Sequence, residues 1–213
     1  MKELEAVLFD VDGTLLNTKE FIYQAYEHTF KSHNLPSVPR EELDGVMGKL
    51  LEDCYKHFVP SSQDLMILCE THRTFQTKNL HLSVPFPNTK DTLNKIKKAE
   101  IKIAAITSRS QRTSTHNLEL AGIKDRIDVV ISAEDVTRIK PHPEPLLKAL
   151  KQLGVKPEKA VMVGDTDADI LAGKNAKTKT IGVTYGFHGK RIVESNPDYV
   201  VDDIAEIIPI ILA

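Results

Sequence analysis

The sequence predicts an α/β fold: an open parallel sheet covered by helices on both faces, with an all-helical segment inserted after the first strand. Three observations predict it. Short aliphatic and β-branched runs alternate with stretches of i, i+3, i+4 apolar spacing, the alternation stops between about residues 16 and 84, and acids stand directly behind the first and fourth runs of the sheet.

The strand candidates lie at residues 6–9, 101–107, 128–132, 160–164, 180–184 and 199–201. Between them, helical spacing covers 89–98, 111–120, 145–153 and 169–176, the periodicity of helices that bury one face. Pro145 suits a first helical turn, and Gly122 and Gly154 suit helix stops. From 16 to 84 no strand is evident; amphipathic stretches at 20–33, 40–46, 50–58 and 62–79 are divided by Pro36, Pro39 and Pro60. The stretch SVPFPNT at 83–89 reads as the return linker, because closely spaced prolines favour extended backbone. Two units follow: a core of residues 1–15 and 85–213, and a helical cap of 16–84.

Composition bounds the class. The 213 residues are 41% hydrophobic and 27% charged with a formal net charge of −2, ordinary for a globular chain and without the basic block that nucleic acid attracts. Cys54 and Cys69 form no CxxC pair, which disfavours a structural zinc or a disulfide framework and suits a reducing cytoplasm. MKELEAVLFD has acids where an export signal wants bases, and IIPIIL falls far short of the roughly 20 apolar residues of a membrane span. A cytoplasmic chain with neither nucleic-acid nor membrane partner is expected, as a monomer or small homo-oligomer.

The chemistry collects behind the strands. In an open parallel sheet, ligands sit beyond the carboxyl ends of the strands. There the sequence places Asp10 and Asp12 after the first run, Thr107 and Ser108 after the second, Lys140 after the third, and Asp165, Asp167 and Asp169 after the fourth. Such acids repel one another unless a hard cation such as Mg²⁺ joins them, and the amine and hydroxyl suit phosphate oxygens. A calcium-loop reading of 165–176 fails, because Ile170 stands where the loop needs Gly and Ala176 where it needs Glu.

On FDVDGT (9–14), Thr107-Ser108, Lys140 within KPHPEP, and GDTDAD (164–169), the chain resembles the haloacid dehalogenase-like hydrolase superfamily, and within it the phosphoglycolate phosphatase and pyrophosphatase group. The resemblance spans essentially the whole chain and implies a Rossmann-like core. It implies a Mg²⁺-dependent phosphatase of a small phosphorylated metabolite, phosphoglycolate or pyrophosphate foremost. Asp10 would be the nucleophile that becomes an aspartyl-phosphate, and Asp12 the acid and base. The carboxylates of Asp10 and Asp165 with the Asp12 carbonyl would hold the metal. Thr107, Ser108 and Lys140 would bind the phosphoryl group, and Asp169 with Asp167 would orient from behind. Lys49 in the cap stretch GVMGKLLEDC and Arg109 beside Thr107 are candidates for gripping a further anionic group of the substrate. A phosphomutase is the enzymatic alternative, and a phosphoryl-accepting signalling module the non-enzymatic one. Asn17 departs from the acid that many relatives carry after DGTLL, a departure also found among pyrophosphatase-like relatives.

Overall fold

The computed structural model describes residues 4–60 and 64–213. At its centre lies β1 (Ala6–Asp10), five residues without exposed surface along most of their length. Burial on both faces explains its unbroken apolar run, and the alternation of side chains divides it cleanly. Val7 and Phe9 join one apolar cluster with Leu93, Ile96 and Leu118, whereas Ala6 and Leu8 join a second with Leu146, Ala149 and Ala172.

Next in the chain come β2 (Leu16–Asn17) and four helices, α1 (Lys19–Ser32), α2 (Arg40–Asp44), α3 (Leu51–Phe58) and α4 (Leu65–Lys78). They pack around an aromatic cluster of their own in which the Tyr26 ring lies 5.3 Å from Tyr55 and 4.7 Å from the His72 ring, the range of favourable aromatic pairs. The predicted helix at 62–79 therefore appears as α4, with residues 62 and 63 outside the described residues. One expectation for this segment fails. Leu16–Asn17 pairs antiparallel with β3 (Val84–Pro85), so both ends of the helical segment carry a strand where none was expected. Two residues are too few to show a period of two, and their partners, Pro85 for Leu16 and Val84 for Asn17, lie at the far end of the helical segment.

The sheet is completed by β4 (Lys102–Ile106), β5 (Val129–Ile131), β6 (Ala160–Gly164), β7 (Lys179–Val183) and β8 (Tyr199–Val201), all parallel, in the order β5-β4-β1-β6-β7-β8. Helices α5 (Thr89–Lys98), α6 (Gln111–Leu120), α7 (Glu144–Leu153), α8 (Asp167–Ala176) and α9 (Ile207–Ile211) cover its faces. Gly122 and Gly154 adopt left-handed backbone at φ +65° and +68°, the conformation that ends a helix cheaply only in glycine. The chain moves outward from β1 through β4 to β5 and then returns to β6 on the other side of β1. The carboxyl ends of β1, β4 and β6 thus stand together at the point where the strand order reverses.

Candidate active site

Asp10 closes β1 with only 7% of its surface exposed. Its nearest partner arrives from the loop before α7. Lys140, 5% exposed, donates from Nζ to Asp10 Oδ1 at 2.6 Å, to Asp169 Oδ1 at 2.6 Å and to the Ile106 carbonyl at 3.1 Å, which uses all three ammonium protons. Burial opposes the ammonium, but Asp10 and Asp169 outweigh it and hold the Lys140 pKa above the usual lysine range. Asp169 is positioned by local structure. It is the third residue of α8, and its Oδ2 accepts from Thr166 N at 3.1 Å and Thr166 Oγ1 at 2.7 Å, a capping box that starts the helix. That box also explains why α8 begins two residues earlier than its apolar spacing suggests.

Asp165, after β6, is fully buried. Its Oδ1 accepts from Thr14 Oγ1 at 3.1 Å and its Oδ2 from Phe187 N at 2.7 Å. Backbone closes around it: a Cβ on Gly13, which has φ +82°, would lie 2.3 Å from Asp165 Oδ2, and one on Gly186 would lie 2.3 Å from Asp165 Cβ. Only glycine allows both approaches. Burial pushes the Asp165 carboxyl well above the usual range, and the charges of Asp10 and Asp169 push it further. Asp10 is likewise raised to about 7, chiefly by burial, with Lys140 opposing the shift and Asp169 and Asp12 adding to it.

One carboxylate oxygen from each of Asp10, Asp165 and Asp169 lies within 4.8 Å of the others. With Asp12 there are four carboxylates, and among the described residues two cations, Lys140 and Arg109, form salt bridges with them. With all four ionised, two negative charges would be left over in a buried site made of hard oxygen donors, which fits a divalent cation such as Mg²⁺. Asp169 is the least available donor of the three, since it accepts hydrogen bonds from the Lys140 ammonium and from both Thr166 N and Thr166 Oγ1, where, among the described residues, Asp165 accepts only from Thr14 and Phe187 and Asp10 only from Lys140.

Over this cluster opens a cavity of about 360 Å³ between the core loops and α1, α3 and α4, bordered by Asp10, Asp12, Thr107 and Lys140 below and by Tyr26 and His72 above. Thr107 is buried, and its Oγ1 accepts from Arg109 N at 3.1 Å. Arg109 Nε donates to Asp12 Oδ2 at 2.7 Å, and its guanidinium lies over the Phe21 ring at 5.1 Å. Ser108 also borders the cavity, and its Oγ donates to the Gly48 carbonyl at 2.9 Å, which ties the loop after β4 to the loop before α3. Lys49 stands exposed on the border of the cavity. Asp167 corrects the expectation that it orients the site. It is exposed, and its Oδ1 accepts from Ala168 N at 2.8 Å in the first turn of α8, where an acid favours the helix terminus.

Sequence reasoning missed three contributors. Phe187 and Gly186, in the loop after β7, grip Asp165; the glycines of YGFHG behind a strand were the signal available. His72 is buried in α4 with Nδ1 2.9 Å from the Tyr55 hydroxyl, and burial, with Arg109 and Arg73 adding to it, lowers its pKa to about 3. A single histidine in a helical stretch carries no sequence signal for that position.

Comparison with known proteins agrees with this geometry. A sequence model described as haloacid dehalogenase-like hydrolase matches residues 7–183. Pyrophosphatase PpaX of Bacillus mycoides is 36% identical over 211 residues, covering 98% of this chain and 97% of that relative. Among solved structures, a predicted phosphoglycolate phosphatase from Haemophilus somnus superposes with a TM-score of 0.91 at 25% identity, over 99% of both chains. CbbY from Rhodobacter sphaeroides, solved in complex with phosphate, superposes with a TM-score of 0.85 at 25% identity, over 96% of both chains.

Proposed function

The chain belongs to the haloacid dehalogenase-like hydrolase family, and from that membership we propose a Mg²⁺-dependent phosphatase acting on a small phosphorylated metabolite through an aspartyl-phosphate on Asp10. The observation that carries the reading is the placement of Asp10. Its carboxylate is buried at the end of a central strand, anchored through Oδ1 to Lys140 at 2.6 Å, and borders the cavity. An anchored carboxylate presents its second oxygen in a fixed direction, as a nucleophile in line with a leaving group must.

In this mechanism Asp10 attacks phosphorus and the bond from phosphorus to the leaving oxygen breaks. Asp12 supplies the proton that oxygen takes up. Water then attacks the aspartyl-phosphate, Asp12 accepts the water proton, and inorganic phosphate and free Asp10 result. Lys140 places positive charge beside the reacting carboxylate, and Thr107 offers its hydroxyl to a phosphoryl oxygen. The Asp10 and Asp165 carboxylates with the Asp12 carbonyl would hold Mg²⁺, which supplies charge neutralisation for the phosphoryl oxygens when bound. Residues 16–84 act as a cap that encloses the substrate, with Ser108 and Gly48 as one point of contact between cap and core.

Phosphoglycolate and pyrophosphate are the favoured substrates, since relatives of known structure or curated name are a predicted phosphoglycolate phosphatase and pyrophosphatases. The test is phosphate release from both compounds and from p-nitrophenyl phosphate, with and without chelator, for wild type and Asp10→Asn. Mg²⁺-dependent turnover abolished in Asp10→Asn supports the reading. No turnover of any of the three by wild type, or turnover surviving in Asp10→Asn, overturns it.

A further inference from the structure

Two polar groups on the wall of the cavity are only half satisfied. Arg109 spends Nε on Asp12 Oδ2, while Nη1 and Nη2 are buried with no hydrogen-bond partner among the described residues. Asp12 Oδ1 is in the same condition. The Arg109 side chain is 11% exposed, lies over the Phe21 ring, and has its own backbone N–H tied to Thr107 Oγ1, so it is held where it stands. A desolvated guanidinium with two idle nitrogens is costly unless an acceptor reaches it.

The surroundings identify that acceptor. From the cap, His72 and Gln76 of α4 face the same cavity, and His72 stays neutral because burial holds its pKa near 3. Glu52 also borders the cavity, but it is paired with Arg73 at 2.8 Å. No carboxylate other than Asp12 forms a salt bridge with Arg109 among the described residues. Lys49 is exposed and keeps its hydration, so it competes weakly for an anion with a guanidinium already stripped of water.

We propose that Arg109 is a specificity-determining residue: its Nη1 and Nη2 atoms receive a second anionic group, carboxylate or phosphate, carried by the leaving group, while its Nε keeps Asp12 beside the scissile oxygen. The proposal rests on the phosphatase reading above and deepens it by naming what the leaving group must carry. The two ends of one guanidinium bind Asp12 and the ligand, so the anion has to lie within a few bonds of the scissile oxygen. A leaving group of the same length with a neutral end leaves the nitrogens unpaired, and sites built to hydrogen-bond a group reject analogues that lack it.

The experiment compares kcat/KM for phosphoglycolate and pyrophosphate with that for 2-hydroxyethyl phosphate, which keeps the two-carbon chain and ends in a neutral alcohol. Wild type is expected to prefer one or both anionic substrates, and which of them it prefers separates carboxylate from phosphate. In Arg109→Gln the ratio of anionic to neutral substrate is expected to fall about 10- to 100-fold, the size of a lost charged hydrogen bond. Arg109→Lys, which keeps the charge, retains more of the ratio. A wild type that handles the neutral ester as well as the anionic ones overturns the proposal without any variant, as does an Arg109→Gln ratio unchanged within threefold. Absence of turnover on all three substrates would instead be a failure of the phosphatase reading.

Discussion

Asp10 and Lys140 are 130 residues apart in the chain and 2.6 Å apart in the fold, inside a site where neither is more than a tenth exposed. Each solves the other's problem. A buried ammonium needs anions, and a buried carboxylate needs a cation to be held in its ionised form.

Replacing Lys140 is therefore expected to cost both stability and turnover. Lys140→Met leaves Asp10 and Asp169 facing each other without their shared cation, and breaking a buried pair this way costs about 3–5 kcal/mol. A lowered denaturant midpoint together with at least a hundredfold drop in kcat is the expected result. Wild-type stability in Lys140→Met would show that the two salt bridges are not formed in solution.

Metal binding should depend on pH through the acid cluster. The metal-free Asp10 carboxyl has its pKa raised from 3.8 to about 7, so folding favours its protonated form. Its contribution to stability is present below 3.8 and is lost as pH rises through 7, and Mg²⁺ must compete with that proton. The gain in Tm on adding Mg²⁺ is then largest near pH 8 and shrinks by pH 5.5. A gain independent of pH across that range would contradict the raised carboxyl.

His72 predicts acid sensitivity in the helical segment of residues 16–84. Its folded pKa of about 3 lies below the free value of 6.5, so its stabilising contribution is present above 6.5 and is lost as pH falls towards 3. Its share of the slope approaches about 1.4 kcal/mol per pH unit. In His72→Gln the decline in unfolding free energy between pH 6.5 and 4 becomes shallower than in wild type. Parallel curves would assign the acid limb to other groups.

Asp165 and Asp167 separate the acids of GDTDAD by role. Asp165→Asn removes a donor that Thr14, Phe187 and two glycines enclose, and kcat should fall at least a hundredfold. Asp167→Asn touches only the first turn of α8 and should change kcat less than threefold, with a stability loss of a few tenths of a kcal/mol. Steady-state kinetics and chemical denaturation of the two variants decide it.

Much of this arrangement was legible along the chain because its causes are local. The first strand is recognisable from the apolar run of residues 6–9, α8 from apolar spacing, and the convergence of Asp10, Thr107, Lys140 and Asp165 from one rule about where parallel strands end. The pairing of Leu16–Asn17 with Val84–Pro85 was not legible, since two-residue strands have no pattern of their own.

What the sequence by itself determined is the order of the six strands of the main sheet and of the helices between them, and the set of chemical groups delivered to one edge of that sheet, because period and composition are properties of neighbouring residues. Only the tertiary structure decided which groups meet. It tied Ser108 to the Gly48 carbonyl and left Asp167 at the surface, wrapped Asp165 in the backbone of Gly13 and Phe187, and set Arg109 between Asp12 and the cavity. Apart from Asp167, whose partner Ala168 is its chain neighbour, each of those outcomes depends on distances of a few ångströms between residues far apart in the chain, and spacing along the chain carries no record of them.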